Sequence, residues 1–168
     1  MKAVIASRAR VVAFAVALAF GQAATSPASA APGSTSGPSA LALAAVMAVH
    51  SPLLSSYDKR VMARLFGGRR ANGFPANQKI SVTADSVKCR VSDVDLTERS
   101  CELMFKGGKK RNLEGREANE LYATLSVAGV MTEGAAGSIF ESITMLDCTI
   151  DPNMINQKSG GGADCTWQ

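Results

Sequence analysis

The stretch KISVTADSVKCRVSDVDLTERSCELMFKGGKKRNL, Lys79 to Leu113, carries the alternations from which the fold is read. Ile80, Val82 and Ala84 fall on one parity and Val87, Cys89 and Val91 on the other, the period-two signature of a strand whose inward face changes at Asp85-Ser86. A strand cannot change faces without an extra residue or a break, so the spacing predicts a bulge or tight turn there. Cys101, Leu103 and Phe105 form the inward face of a second strand. Gly107-Gly108 then supplies the positive-φ residues of a tight hairpin that returns along Lys109 to Leu113.

Toward the N-terminus, Gly67-Gly68 closes a helix in which Leu54, Tyr57, Val61 and Leu65 recur at the spacing of one buried face, with Ser51 as cap and Pro52 in the first turn. Before it, ALALAAVMAV (Ala40 to Val49) is apolar, of high helix propensity and too short to cross a bilayer, and His50-Ser51-Pro52 stops it. It reads first as a short docked helix; a mobile, surface-seeking segment over 40–50 and an extension of the leader are the alternatives. Residues 31–39 (APGSTSGPS) read as a flexible linker, since nothing in them can bury enough surface to order the chain.

Toward the C-terminus, Ala118, Leu121, Tyr122, Leu125 and Ala128 form a helical stripe ended by Gly129. The spacing predicts a further helix from Thr132 or Glu133 with Ile139, Phe140, Ile143 and Leu146 inward. Leu146, Cys148 and Ile150 then alternate as a strand, Asp151-Pro152-Asn153 turns the chain, Asn156 to Ala163 is a loop, and Asp164 to Trp167 is a last strand. The sum is a single small α+β domain over 40–168, with a mainly antiparallel sheet of about five strands and two to three helices packed on one face.

The 168 residues are 46% apolar and 19% charged, with mean hydropathy +0.08, which excludes a disordered chain, a fibre and a multi-span membrane protein. Lys2, Arg8 and Arg10, the apolar run Val11 to Phe20 and Ala28-Ser29-Ala30 predict a signal peptide over 1–30, hence a periplasmic or secreted protein with no transmembrane span after cleavage. Removal of those three cations takes the formal net charge from +4 to about +1 and leaves a polarised chain, basic from Tyr57 to Arg116 and acidic beyond. Cys89, Cys101, Cys148 and Cys165 are an even number in a compartment where disulfides persist. Of the three possible pairings, Cys89–Cys101 and Cys148–Cys165 are preferred, because each joins neighbouring strands.

No catalytic residue, metal ligand or cofactor is assigned. The cysteines show no C-x-x-C, and His50, the only histidine, stands far from all four in sequence and ends a segment read as mobile in one alternative. Ser56-Tyr57-Asp58-Lys59 has S-x-x-K spacing, yet Ser92-Asp93-Val94 and Lys106-Gly107-Gly108 depart from the companion motifs. Asp93, Asp95 and Glu98 could offer oxygen ligands to calcium, but Met104 stands where the closing glutamate of a calcium loop belongs. Glu114, Glu117, Glu120 and Glu141 form no fixed carboxylate pair. Gly160-Gly161-Gly162 precedes no helix, so it lacks the backbone cradle of a phosphate loop. The binding candidates are basic: Lys106, Lys109, Lys110 and Arg111 crowd a hairpin tip, and Arg64, Arg69 and Arg70 lie at a helix end. Nucleic acid is disfavoured by the compartment and by the absence of interleaved aromatics.

The stretches PLLSSYDKRVMARLFGGR (Pro52 to Arg70) and GREANELYATLSVAGV (Gly115 to Val130), with the four cysteines around them, resemble small secreted two-disulfide proteins of Gram-negative bacteria. The resemblance brings no activity and no functional residue with it. The expected function is a non-catalytic binding module, an inhibitor or adaptor of an envelope or secreted protein, which could present a preorganised loop such as Ser92 to Ser100. The alternatives are a small periplasmic hydrolase using carboxylates or Ser56 and Lys59, and a protein docking on anionic lipid or glycan through the basic hairpin.

Overall fold

The computed structural model describes residues 32–95, 97–131, 139–155 and 161–168, of which 139–141 are described by backbone alone. Two long strands, β2 (Ile80–Val91) and β5 (Ile139–Ile150), run antiparallel through the centre of a six-stranded sheet. β3 (Arg99–Phe105) pairs with β2, and a three-residue turn with Gly107 and Gly108 at φ 78° and 72° leads to β4 (Lys109–Glu114). On the other side β6 (Ala163–Trp167) pairs with β5, and β1 (Gly33–Ser36) covers the far edge of β6. The order is β1-β6-β5-β2-β3-β4, antiparallel throughout.

The change of face expected at Asp85-Ser86 is present, but the extra residue belongs to the partner strand. Ala84 pairs with Leu146 and Ser86 with Thr144, so the β2–β5 register does not slip at this point; it shifts only later, between Lys88 and Arg90. Both strands nonetheless turn over together: Ala84 and Val87 are buried in one, Leu146 and Ile143 in the other, and Asp85 and Met145 between them are exposed. Met145 takes the left-handed φ of 59°, where a Cβ is crowded. Thr144 exchanges both backbone hydrogen bonds with Gln168 (2.7 and 3.0 Å) while Asp147 faces Thr166, so Met145 and Leu146 together stand opposite Trp167. This is a bulge in β5.

The bulge also explains a correction. Residues 132–138 lie outside the described part, but Ile139–Ile150 is strand, not the end of a helix. Ile143 and Leu146 both face inward because the bulge intervenes, and the resulting three-residue spacing imitates a helical stripe.

Among the described residues three helices cover one face. α1 (Pro38–His50) lies over β5, β6 and β1, α3 (Gly115–Val127) lies over β3 and β4, and α2 (Ser56–Phe66) packs against α1. α1 is apolar almost all round because it is enclosed on several sides: Ala40, Leu43, Ala44 and Met47 are fully buried. α1 is therefore docked against the sheet and the other two helices. α2 starts later than the sequence suggests: Ser55 is its cap, accepting from the Asp58 N–H at 3.0 Å and donating to the Asp58 carboxylate at 2.6 Å. Ser51 instead accepts from the Leu53 N–H at 3.2 Å. Among the described residues no helix is long and apolar enough to cross a membrane.

The linker assigned to residues 31–39 is corrected over Gly33–Ser36, which form β1. An edge strand is held by backbone hydrogen bonds, and side chains as small as Gly-Ser-Thr-Ser suffice where a neighbour supplies the bulk. That neighbour is Trp167, 6% exposed, whose ring would stand 2.6 Å from a Cβ at residue 33. Gly33→Ala is thus expected to push β1 off β6 and cost about 1–3 kcal/mol. Trp167 is the only tryptophan, so its fluorescence should move to the red; an unchanged spectrum and melting temperature would refute the contact.

Candidate functional site

Both disulfides join residues that face each other across neighbouring antiparallel strands, Cys89–Cys101 on β2 and β3 and Cys148–Cys165 on β5 and β6, with Cα–Cα separations of 4.1 and 4.0 Å. All four sulfurs point inward beneath a helix. The Cys101 sulfur lies 3.7 Å from the Ala118 carbonyl of α3 and the Cys165 sulfur 3.5 Å from the Ala40 carbonyl of α1. With no S–H left to donate, these are packing contacts.

The Cys89–Cys101 bridge stands at the base of the β2–β3 connection, Ser92 to Glu98. The Ser92 N–H donates to the Glu98 carbonyl at 2.9 Å, and the Ser92 hydroxyl accepts from the N–H groups of Val94 and Asp95 at 3.2 Å each. The Asp95 carboxylate accepts from the Thr97 hydroxyl at 2.7 Å and the Thr97 N–H at 2.8 Å, and these bonds hold its pKa below the ordinary carboxylate value. Val94 is left 97% exposed. Beyond the loop, the Arg99 guanidinium stands 4.6 Å from the centre of the Tyr122 ring and donates to Asn119 at 3.3 Å, tying the loop's end to α3.

The basic candidates occupy two places. Lys106, Lys109, Lys110 and Arg111 are exposed on the β3–β4 hairpin and on β4, an edge of the sheet, where Lys110 pairs with Glu102 at 3.2 Å. Such an edge row also deters strand-to-strand aggregation. Arg64 is exposed in the last turn of α2, while Arg69 and Arg70 line an open groove of about 750 Å³ with residues 71–74 and 152–155. No hairpin cation lines that groove.

A second concavity was not anticipated. The end of α1, the outer side of α2 and the first turns of α3 enclose a cleft of about 230 Å³ lined by His50, Lys59, Glu117 and Glu120 together with apolar side chains. His50 is 7% exposed, and its ring nitrogens have no hydrogen-bond partner among the described residues. The Lys59 ammonium donates to the Val49 carbonyl at 3.2 Å, which satisfies one of the open carbonyls at the C-terminus of α1. From sequence alone His50 is only the residue that ends the apolar Ala40 to Val49 segment. The one signal for the cleft was Glu117 and Glu120, a helical turn apart beside the buried stripe of α3.

Burial lowers the His50 pKa below its ordinary 6.5; Glu117 and Glu120 oppose the shift, while Arg111 and Lys59 add to it. The folded chain therefore takes up this proton less readily than the unfolded chain. The stability involved is complete above pH 6.5 and declines as the pH falls below it. His50→Gln should melt with less dependence on pH than the native chain between about pH 7.5 and 5.5, where most carboxylates stay ionised. Parallel pH profiles would contradict this.

Among the described residues no group of three or more His, Cys, Asp or Glu is placed to hold a metal ion. No protein-family model, curated protein or solved structure matches the chain.

Proposed function

We propose that the protein is an exported, non-catalytic binding module that inhibits or adapts an envelope or secreted protein by presenting the Ser92–Glu98 loop. The observation that carries the reading is Val94, 97% exposed on a loop closed by its own hydrogen bonds and by a disulfide at its base. An apolar tip already held in one conformation loses little entropy on insertion into a partner's pocket, the manner in which a small anchor concentrates binding energy. Asp93, Asp95 and Glu98 around it favour a recess with a basic rim. Export is supported by the basic start, the apolar run Val11 to Phe20 and the A-x-A triplet Ala28 to Ala30, and by two disulfides, which persist in oxidising compartments.

The test is affinity capture from envelope and secreted fractions with the oxidised protein, with Val94→Asp and with Lys109, Lys110 and Arg111 all changed to Glu. A partner retained by the native and charge-reversed proteins and lost with Val94→Asp is the expected result. The exposed cations at the β4 edge favour a second reading, docking on anionic lipid or glycan. Retention that vanishes with charge reversal and with salt, but survives Val94→Asp, would replace the first reading by this one.

A further inference from the structure

The cleft between α1, α2 and α3 lies outside the loop-based reading above and depends on none of it. Its floor is the flank of α1 at Ala45, Val46 and Ala48, and its rim includes Phe66, 55% exposed, and Val49, 64% exposed. Large apolar side chains left open beside a buried polar ring are arranged to receive a molecule with a hydrocarbon body and one polar head. The volume, below that of a usual drug-sized site, restricts the occupant to a small one.

Charge decides which head group fits. His50 faces Glu117 and Glu120 from α3, Lys59 from α2 and Arg111 from β4. Arg111 does not line the cleft, and the Lys59 ammonium is bound to the Val49 carbonyl. The two carboxylates form no ion pair among the described residues. The lining thus carries two carboxylates against one ammonium, a net negative charge, beside an imidazole whose nitrogens have no hydrogen-bond partner among the described residues. An anion would meet both carboxylates; an ammonium ion would find acceptors on the polar side and Ala63 and Phe66 beside its carbon chain.

We propose that this cleft is a binding site for a small organic ammonium ion, its nitrogen held by Glu117, Glu120 and the His50 ring and its hydrocarbon resting on Ala63 and Phe66. His50 is the chain's only histidine, so its ring protons give one assignable pair of NMR signals that report on the cleft directly.

The experiment titrates the oxidised protein with benzylammonium, benzyl alcohol and benzoate, which share a ring and differ in charge. Benzylammonium should move the His50 signals to saturation, with an affinity greater than that of the alcohol by roughly fivefold or more, and benzoate should leave them in place. Combined Glu117→Gln and Glu120→Gln should erase the preference for the amine over the alcohol while leaving the melting temperature close to native, both carboxylates being exposed. Lys59→Met, which removes the one cation lining the cleft among the described residues, should tighten amine binding. A shift that does not saturate, an alcohol or benzoate that binds as well as the amine, or a preference that survives the double substitution would overturn the proposal.

Discussion

Reduction of both disulfides is expected to unfold the protein at about 37 °C. The bridged pairs are 12 and 17 residues apart, and closing loops of this size contributes about 3 kcal/mol each in the chain-entropy account. Two such terms rival the whole stability of an ordinary domain, about 5–15 kcal/mol. The sulfurs are also interior surface on which helices rest, through the contacts with Ala118 and Ala40, so four bulkier, unlinked thiols would replace that packing. Circular dichroism melts with and without reductant check this. Removal of one bridge alone, Cys148→Ala with Cys165→Ala, is expected to cost about 2–5 kcal/mol and to leave a folded but less stable chain. A reduced protein that melts within a few degrees of the oxidised one would show that the sheet and helices suffice by themselves.

Leu43→Ala is expected to cost about 3 kcal/mol, the middle of the range for a fully buried leucine. Leu43 is 0% exposed on α1, a helix packed against both the sheet and α2, in a segment for which a mobile, surface-seeking reading is the sequence alternative to a docked helix. Val49, six residues further on the same helix and 64% exposed, is the control, and Val49→Ala should stay within about 0.5 kcal/mol. Chemical denaturation with unchanged slopes separates the two outcomes. Were residues 40–50 undocked, both substitutions would be silent.

The parts of the fold legible in the sequence are those in which one side-chain pattern answers to one element. The alternations over Lys79–Val91 and Cys101–Phe105, the Gly107-Gly108 turn, the α3 stripe and the inward parity of the cysteines are of this kind, and they carry the disulfide pairing with them. The failures arise where pattern and element separate. β1 is held by its backbone and by room beneath Trp167, neither of which a Gly-Ser-Thr-Ser run reveals. β5 carries a bulge that gives Ile143 and Leu146 a helical spacing. The His50 cleft draws on three helices distant in the chain, and no local motif records that they converge. The basic groups could be named from sequence, but their separation between the β4 edge and the Arg69–Arg70 groove is a property of the path between them.

The shared turnover of β2 and β5 at Asp85 and Met145 also predicts how the molecule comes apart. β3 pairs with β2 only from Ser86 onward, whereas the regular β5–β6 ladder runs from Asp147 to Ile150, with the single Thr144–Gln168 pair beyond the bulge. The sheet is in effect two panels hinged on a pair of common strands. One panel holds β3, β4, α3 and Cys89–Cys101, and the other holds β6, β1, α1 and Cys148–Cys165. Each covalent brace lies wholly within its panel and none crosses the fold line. Loss of one brace should therefore loosen its own panel first, with amide exchange quickening there while the other panel keeps its protection, so that one chain opens as two partly independent units.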